Sequence, residues 1–123
     1  MNVRGAIEFT VVSRNDERVI SEMPINSGIR NPFGFVHAGA MIWFADVTAS
    51  LLVIGDAEPH EGMKGFPLAI SLNANFLSNQ REGQFRAVSS FVKKGRTVSV
   101  VRTLVYGNAD KLIADVTTSH VLS

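Results

Sequence analysis

The sequence predicts an α+β fold in which a curved antiparallel sheet wraps one long central helix. Three observations predict it. An apolar run from Ala38 to Ile54 carries a single charge, Asp46, at its middle. Two stretches with strand-like alternation precede this run and four follow it. Short turns separate the later stretches, which implies antiparallel hairpins. A helix apolar on nearly all sides has to be enclosed by its own protein, and a wrapping sheet supplies the contacts.

Taken in order, Ile7, Phe9 and Val11 alternate with Glu8 and Thr10, as in a strand with one buried face. Asn15-Asp16 reads as a turn, and Val19 to Met23 as a second, shorter strand. The prolines, glycines and asparagines between Pro24 and Val36 mark a loop. The helix then runs from Ala38 to Ile54 and ends at Gly55. Asp56 to Phe66 is a second polar loop, with Pro59, Gly62 and Gly65. From Leu68 to Phe76 the even-numbered residues are expected on one face and Ala69, Ser71, Asn73 and Asn75 on the other. Gln84 to Val92, Thr97 to Tyr106 and Leu112 to Val121 complete the set, divided by Lys93-Lys94-Gly95 and Gly107-Asn108-Ala109-Asp110.

The 123 residues are expected to form a single domain spanning 1–123, with 46% hydrophobic and 19% charged residues and no low-complexity tract. A formal net charge of +1 offers no footprint for nucleic acid or for an anionic membrane. With no cysteines there are no disulfides, thiolate metal sites or cysteine nucleophiles, which suits a reducing cytoplasm. Glu8 interrupts the N-terminal apolar character, so no signal peptide is expected. The apolar run is shorter than the roughly 20 residues of a spanning helix, and its central carboxylate argues further against the membrane.

Asp46 is the residue that demands an explanation. Burying a carboxylate costs several kcal/mol unless it is paired or protonated, and no lysine or arginine lies within two turns along the helix. Desolvation would push its pKa towards the range useful to a general base. Ser50 and Trp43 fall on the same helical stripe, and the Ser50 hydroxyl is placed to donate to the carboxylate; Thr48 lies round the other side. The competing readings are a structural carboxylate bonded to loop amides or a neighbouring subunit, and a serine that is merely small. At the helix start the first amides lack intrahelical partners and the dipole is positive, so a carbonyl oxygen could be polarised there.

The stretch Asn31-Pro32-Phe33-Gly34-Phe35-Val36-His37-Ala38-Gly39-Ala40, followed by Asp46, resembles the hotdog thioesterases of the phenylacetic-acid-degradation and 4-hydroxybenzoyl-CoA types. Their pattern is Asn or Gln, then Gly, then His-Gly-Gly, then an acidic residue nine positions past the histidine. Asn31, Gly34, His37 and Asp46 stand at those spacings, while Ala38 replaces the first glycine. The element order also matches over nearly the whole chain.

The resemblance implies an acyl-CoA thioesterase, aromatic acyl groups being favoured and short or medium aliphatic ones next. Asp46 would be base or nucleophile, the Ala38 amide the oxyanion donor with Gly39 beside it, and Asn31 would orient water or polarise the carbonyl. The competing reading of Asn31 is an Asx turn before Pro32. His37 is more in keeping with a bond to loop backbone than with catalysis, since no nucleophile motif is near it. His60 and His120 are scattered, and no metal-ligand spacing exists. Coenzyme A would meet Arg81 and the hairpin Lys93, Lys94, Gly95, Arg96 and Thr97, unless those charges only solvate a turn. Phe33, Phe35 and Trp43 are the acyl-pocket candidates, or else core.

No cofactor is implied, because coenzyme A is part of the substrate. A homodimer or homotetramer with sites at the dimer interface is implied by the same likeness. Two other classes remain. One is a hotdog enoyl-thioester hydratase or dehydratase recruiting His37 and Asp46. The other is a non-catalytic acyl-CoA binding module, although such regulators usually carry a DNA-binding segment for which no room is expected here.

Overall fold

A computed structural model describes residues 5–122. Six strands form one antiparallel sheet in the order β1-β2-β4-β5-β6-β3, and the helix α1 (Ala38–Ile54) lies against its inner face. The strands are β1 (Thr10–Arg14), β2 (Arg18–Pro24), β3 (Pro67–Phe76), β4 (Gln84–Lys93), β5 (Val98–Tyr106) and β6 (Leu112–Leu122). Strand alternation sets the inner face: Phe85, Ala87 and Ser89 of β4, Val101, Thr103 and Val105 of β5, and Val116, Thr118 and His120 of β6 are all buried.

The helix divides the core lengthwise. Its first half, with Ala40, Met41, Phe44 and Ala45, packs on Met23, Phe85, Val105 and Ile113. Its second half, with Ala49, Leu51 and Leu52, packs on Val19 and Val101. The β4–β5 hairpin joins the strand ends beside Val19 and Val101, so it lies at the helix's C-terminal end. A helix of 17 residues is about 25 Å long. The hairpin and the helix start are therefore at opposite ends of the molecule.

Three expectations need correction. The first strand begins at Thr10, where pairing with Glu22 starts. Ile7 and Phe9 precede the ladder and alternate because they rest on the core, Phe9 edge-on to Trp43 at 4.9 Å. Secondly, the even-numbered residues of β3 do not share one face. The register shifts between Ala69 and Ser71, so Ala69, opposite His120, faces inward together with Leu72, opposite Thr118, while Leu68 faces out. Thirdly, the sheet does not enclose the helix. Gly39 and Trp43 are exposed and Ile42, Asp46 and Val47 are half-buried, which leaves one stripe of α1 open. The open stripe accompanies an open edge: β3 ends the sheet, and Ile70 on it is 58% exposed.

Candidate active site

The loop before the helix is held by its own polar groups. Asn31 Oδ1 accepts from the Phe33 and Phe35 amides at 2.9 and 3.2 Å, which is the Asx-turn reading. Its carbonyl accepts from the Gly34 amide at 3.0 Å, and Gly34 takes a left-handed φ of 86° that glycine adopts without a steric penalty. Among the described residues nothing accepts from the Asn31 side-chain NH2, so that donor is free.

Asn79, which the sequence reading passed over, anchors the next step. Its side chain accepts from the Val36 amide at 3.2 Å and donates to the Val36 carbonyl at 3.0 Å, as a neighbouring strand would. Arg30 donates to the Arg81 carbonyl at 3.0 and 2.7 Å, and the Arg81 guanidinium lies 4.8 Å from the Phe35 ring centre. Arg81 thus sits beside the loop that delivers the helix start.

His37 is the helix N-cap. Its Nδ1 accepts from the Ala40 amide at 2.9 Å, which commits that nitrogen as an acceptor. Ala38 and Gly39, both exposed, are the first two helical residues, and no hydrogen bond to their amides is found among the described residues. The replacement of glycine by Ala38 introduces no strain, because its φ is negative. The amide is presented as glycine would present it.

Asp46 Oδ1 is buried with no hydrogen-bond partner among the described residues. Desolvation raises the Asp46 pKa above its ordinary 3.8, and a smaller opposing influence comes from His120. The expected bond from Ser50 is not formed: Ser50 is buried on α1, yet its hydroxyl does not reach the carboxylate. Thr48 does lie on another side, where its hydroxyl donates to the Phe44 carbonyl at 2.7 Å. The carboxylate is not locked into scaffold bonds.

Nor does Asp46 face the tip of its own helix. Eight residues at 1.5 Å each put it about 12 Å along the axis from Ala38. One carbonyl cannot touch both in the same chain.

The remaining candidates separate by position. Phe33 is 80% exposed, Trp43 is 37% exposed, and neither belongs to the buried core. Gly95, Arg96 and Thr97 form the far hairpin, where a side chain at Gly95 would run into the Val98 carbonyl. Close backbone approach therefore explains that glycine without a ligand. Lys94 lies over the Phe91 ring at 5.6 Å, leaving Lys93 and Arg96 exposed to solvent. Among the described residues no group of histidine and acidic side chains could hold a metal, and no helix is long and apolar enough to cross a membrane.

One helix laid on a curved antiparallel sheet, with free amides at its start and an unpaired carboxylate at its middle, is the arrangement of a hotdog-fold protein. The chain belongs to the thioesterase superfamily, whose sequence profile matches residues 33–114. It is 29% identical over 108 residues to ComA2 of Bacillus subtilis, provisionally named an esterase, covering 88% of this chain and 83% of that one. It is 23% identical over 113 residues to the 1,4-dihydroxy-2-naphthoyl-CoA hydrolase of Listeria monocytogenes, covering 92% and 89%. Among solved structures, the Staphylococcus aureus thioesterase SAV0944 superposes with a TM-score of 0.85 at 22% identity, covering 94% of this chain and 93% of that one. The smu.793 protein of Streptococcus mutans, bound to acetyl CoA, does so at 0.82 and 21%, covering 94% and 89%.

Two outcomes follow from this geometry. Because burial raises the Asp46 pKa, the folded state holds that proton more tightly than the unfolded state does. The resulting stability is complete below pH 3.8 and is lost as the pH rises through the folded-state value. Asp46→Asn should accordingly raise the melting temperature at neutral pH, with the gain shrinking in acid; melts of both proteins across that range check it. Asn79→Ala removes both ties to Val36 and should cost about 1–2 kcal/mol by denaturant titration, while lowering turnover through a loosened helix start.

Proposed function

We propose that the chain hydrolyses acyl-CoA thioesters, with Asp46 as the reacting carboxylate and an Ala38 amide as the oxyanion donor. The observation that carries this reading is the unpaired buried oxygen of Asp46, on the same helix whose first amides are free. A thioester carbonyl against such an amide has its developing negative charge stabilised by a preorganised donor and by the positive helix end. Asp46 takes a proton from water as the water attacks the carbonyl carbon. Collapse of the tetrahedral oxyanion then expels the coenzyme A thiolate, which takes up a proton, and releases the free acid. In the covalent variant an Asp46 oxygen attacks the carbonyl carbon and expels the coenzyme A thiolate, which takes up a proton; water then cleaves the mixed anhydride, releasing the free acid and restoring the Asp46 carboxylate. Asn31 supplies an N–H donor for the carbonyl or the water. In SAV0944, structures exist of variants lacking a glutamine and a glutamate, and these stand at the same separation as Asn31 and Asp46.

The separation of about 12 Å within one helix requires a second chain. Antiparallel pairing of two β3 edges would lay two helices side by side in opposite directions, open stripe to open stripe. Asp46 would then approach the partner subunit's Ala38. The same pairing would bring the hairpin Gly95-Arg96-Thr97, at the C-terminal end of one helix, towards Arg81 and Asn31 of the other chain. Lys93, Arg96 and Arg81 would together offer positive charge to the phosphates of coenzyme A. A homodimer is thus the smallest active unit in this reading, and a homotetramer a further assembly of it. The acyl group would lie against Phe33 and Trp43. An aromatic acyl group is favoured by those rings and by the naphthoyl-CoA hydrolase activity named for the Listeria relative. The cysteine-free composition suits a cytoplasmic setting.

A hydratase using His37 fits less well, because one ring nitrogen of His37 is already spent on the helix cap. Thiol release on mixing with an acyl-CoA panel tests the reading directly; binding without release would mean a sensing module, and a change in enoyl absorbance a hydratase.

Asp46→Asn should abolish turnover with the fold and ligand binding retained, and a variant keeping most of its activity would end the assignment. Ala38→Pro removes only the donor, since proline is tolerated at the first helical position and His37 already has the extended φ of −73° and ψ of 147° that a following proline needs. Turnover should fall about 100- to 1,000-fold with unchanged helicity. Ile70→Lys combined with Leu72→Lys should yield a folded monomer by light scattering and circular dichroism, without activity. A fully active monomer would exclude the shared site.

A further inference from the structure

Arg30 takes no part in the mechanism above, although it stands next to Asn31 where the helix-start loop begins. Its backbone pairs with Val36 across that loop as an isolated antiparallel bridge. Its Nε and Nη2 both donate to the Arg81 carbonyl, at 3.0 and 2.7 Å. One edge of the guanidinium is thereby fixed, while Nη1 on the other edge has no acceptor among the described residues. The Arg81 guanidinium lies over the ring of Phe35, the residue before the Val36 end of the same bridge. Two exposed cations thus flank one short loop.

The ion pairs among the described residues belong to Arg14, Arg86 and Arg102. Neither Arg30 nor Arg81 takes part in one, and the adjacent Glu82 pairs with neither. The loop carrying Arg81 is fastened on both sides. Before it, Asn79 is tied to Val36, and Gln80 Oε1 accepts from the Asn108 amide at 2.8 Å. After it, the Glu82 carbonyl accepts from Gln80 Nε2 at 3.2 Å and from Asn108 Nδ2 at 3.4 Å. Two like charges held on fastened backbone repel, and no carboxylate of the chain offsets them. An anion bound between them would, with little ordering left to do.

We propose that Arg30 and Arg81 form one phosphate-binding pair, in which Arg30 sets the Arg81 backbone and offers its own free edge to the ligand. The proposal rests on the reading of coenzyme A thioesters as substrates, and it adds a cation that this reading lacks. Guanidinium groups suit the task, because their planar N–H donors match phosphate oxygens two at a time. Coenzyme A carries such oxygens in two places, the diphosphate and the ribose phosphate, and the pair fits the chemistry of both.

Arg30→Gln tests the pair, because glutamine keeps an N–H donor for the Arg81 carbonyl and removes the charge. A staple between two loops needs only the donor, so a purely structural role predicts no change in ligand affinity. The pair predicts that calorimetric affinity for coenzyme A itself falls about tenfold at low salt, with the gap narrowing at high salt. With benzoyl-CoA and benzoyl-pantetheine as substrates, the ratio of their kcat/KM values should fall by about the same factor, through KM. An unchanged affinity and an unchanged ratio in the folded variant would overturn the proposal. Arg81→Gln leaves in place the carbonyl that Arg30 grips, and it carries the same test where Arg30→Gln does not fold. Calorimetry with dephospho-coenzyme A, which lacks the ribose phosphate, assigns the contact. A loss that persists there supports the pair on the diphosphate, and one that vanishes supports it on the ribose phosphate. The calorimetric arm needs no hydrolysis: an active Asp46→Asn variant would end the proposed mechanism and leave this arm standing, whereas an unaltered protein without affinity for coenzyme A would overturn both.

Discussion

Asp46 Oδ1 lies buried on α1 without a hydrogen-bond partner among the described residues, and an unpaired buried carboxylate is costly to keep. Its neighbours on the helix are chosen for packing: Phe44 and Ala45 fill the space against β4 and β6, and Ala49 fits close to the sheet. None of them can solvate a carboxylate. The helix therefore holds a negative charge in a place where only a few groups can stabilise it, and the pKa responds by rising. A weak acid in water becomes, by this placement alone, a better proton acceptor.

The remainder of the site is backbone. Asn31 and Gly34 shape the loop, Asn79 pins Val36, and His37 consumes one of the free amides while leaving those of Ala38 and Gly39 available. Each of these side chains acts by fixing main-chain position. Ala38 presents its N–H with ordinary helical geometry, so under the proposed reading, in which the reacting donor is an N–H, alanine serves where the thioesterase pattern has glycine.

Much of this was legible in the sequence because it follows from periodicity and spacing. The helix spans the expected residues, and the four later strands lie within one or two residues of their expected bounds. What escaped was governed by contacts distant in sequence. The bulge in β3 depends on pairing with β6, so Leu68 and Leu72 could not be assigned opposite faces from alternation alone. Asn79 is recognisable only once Val36 is beside it. His120 does leave a signal: it continues the alternation of Ala114, Val116 and Thr118, which places it inside, although its spacing from the other histidines carries no pattern. The distance from Ala38 to Asp46 was also available, since it needs only the rise of a helix.

That last distance decides how the fold becomes an enzyme. A straight helix cannot bring its own start to its own middle, so under the proposed function the positive end and the carboxylate would work together only where a second helix runs the other way. The exposed stripe of Gly39, Trp43 and Val47, with the unpaired edge of β3 alongside, is the surface that such an arrangement would cover. Covering it would also deepen the burial of Asp46 and so raise its pKa further. Assembly and activation would then be one event: the contact that completes the oxyanion donor also removes the water that makes the carboxylate a weak base. His120 acts against that trend, lowering the Asp46 pKa while burial raises it. The balance between partner burial and His120 would set the pH at which the site begins to work.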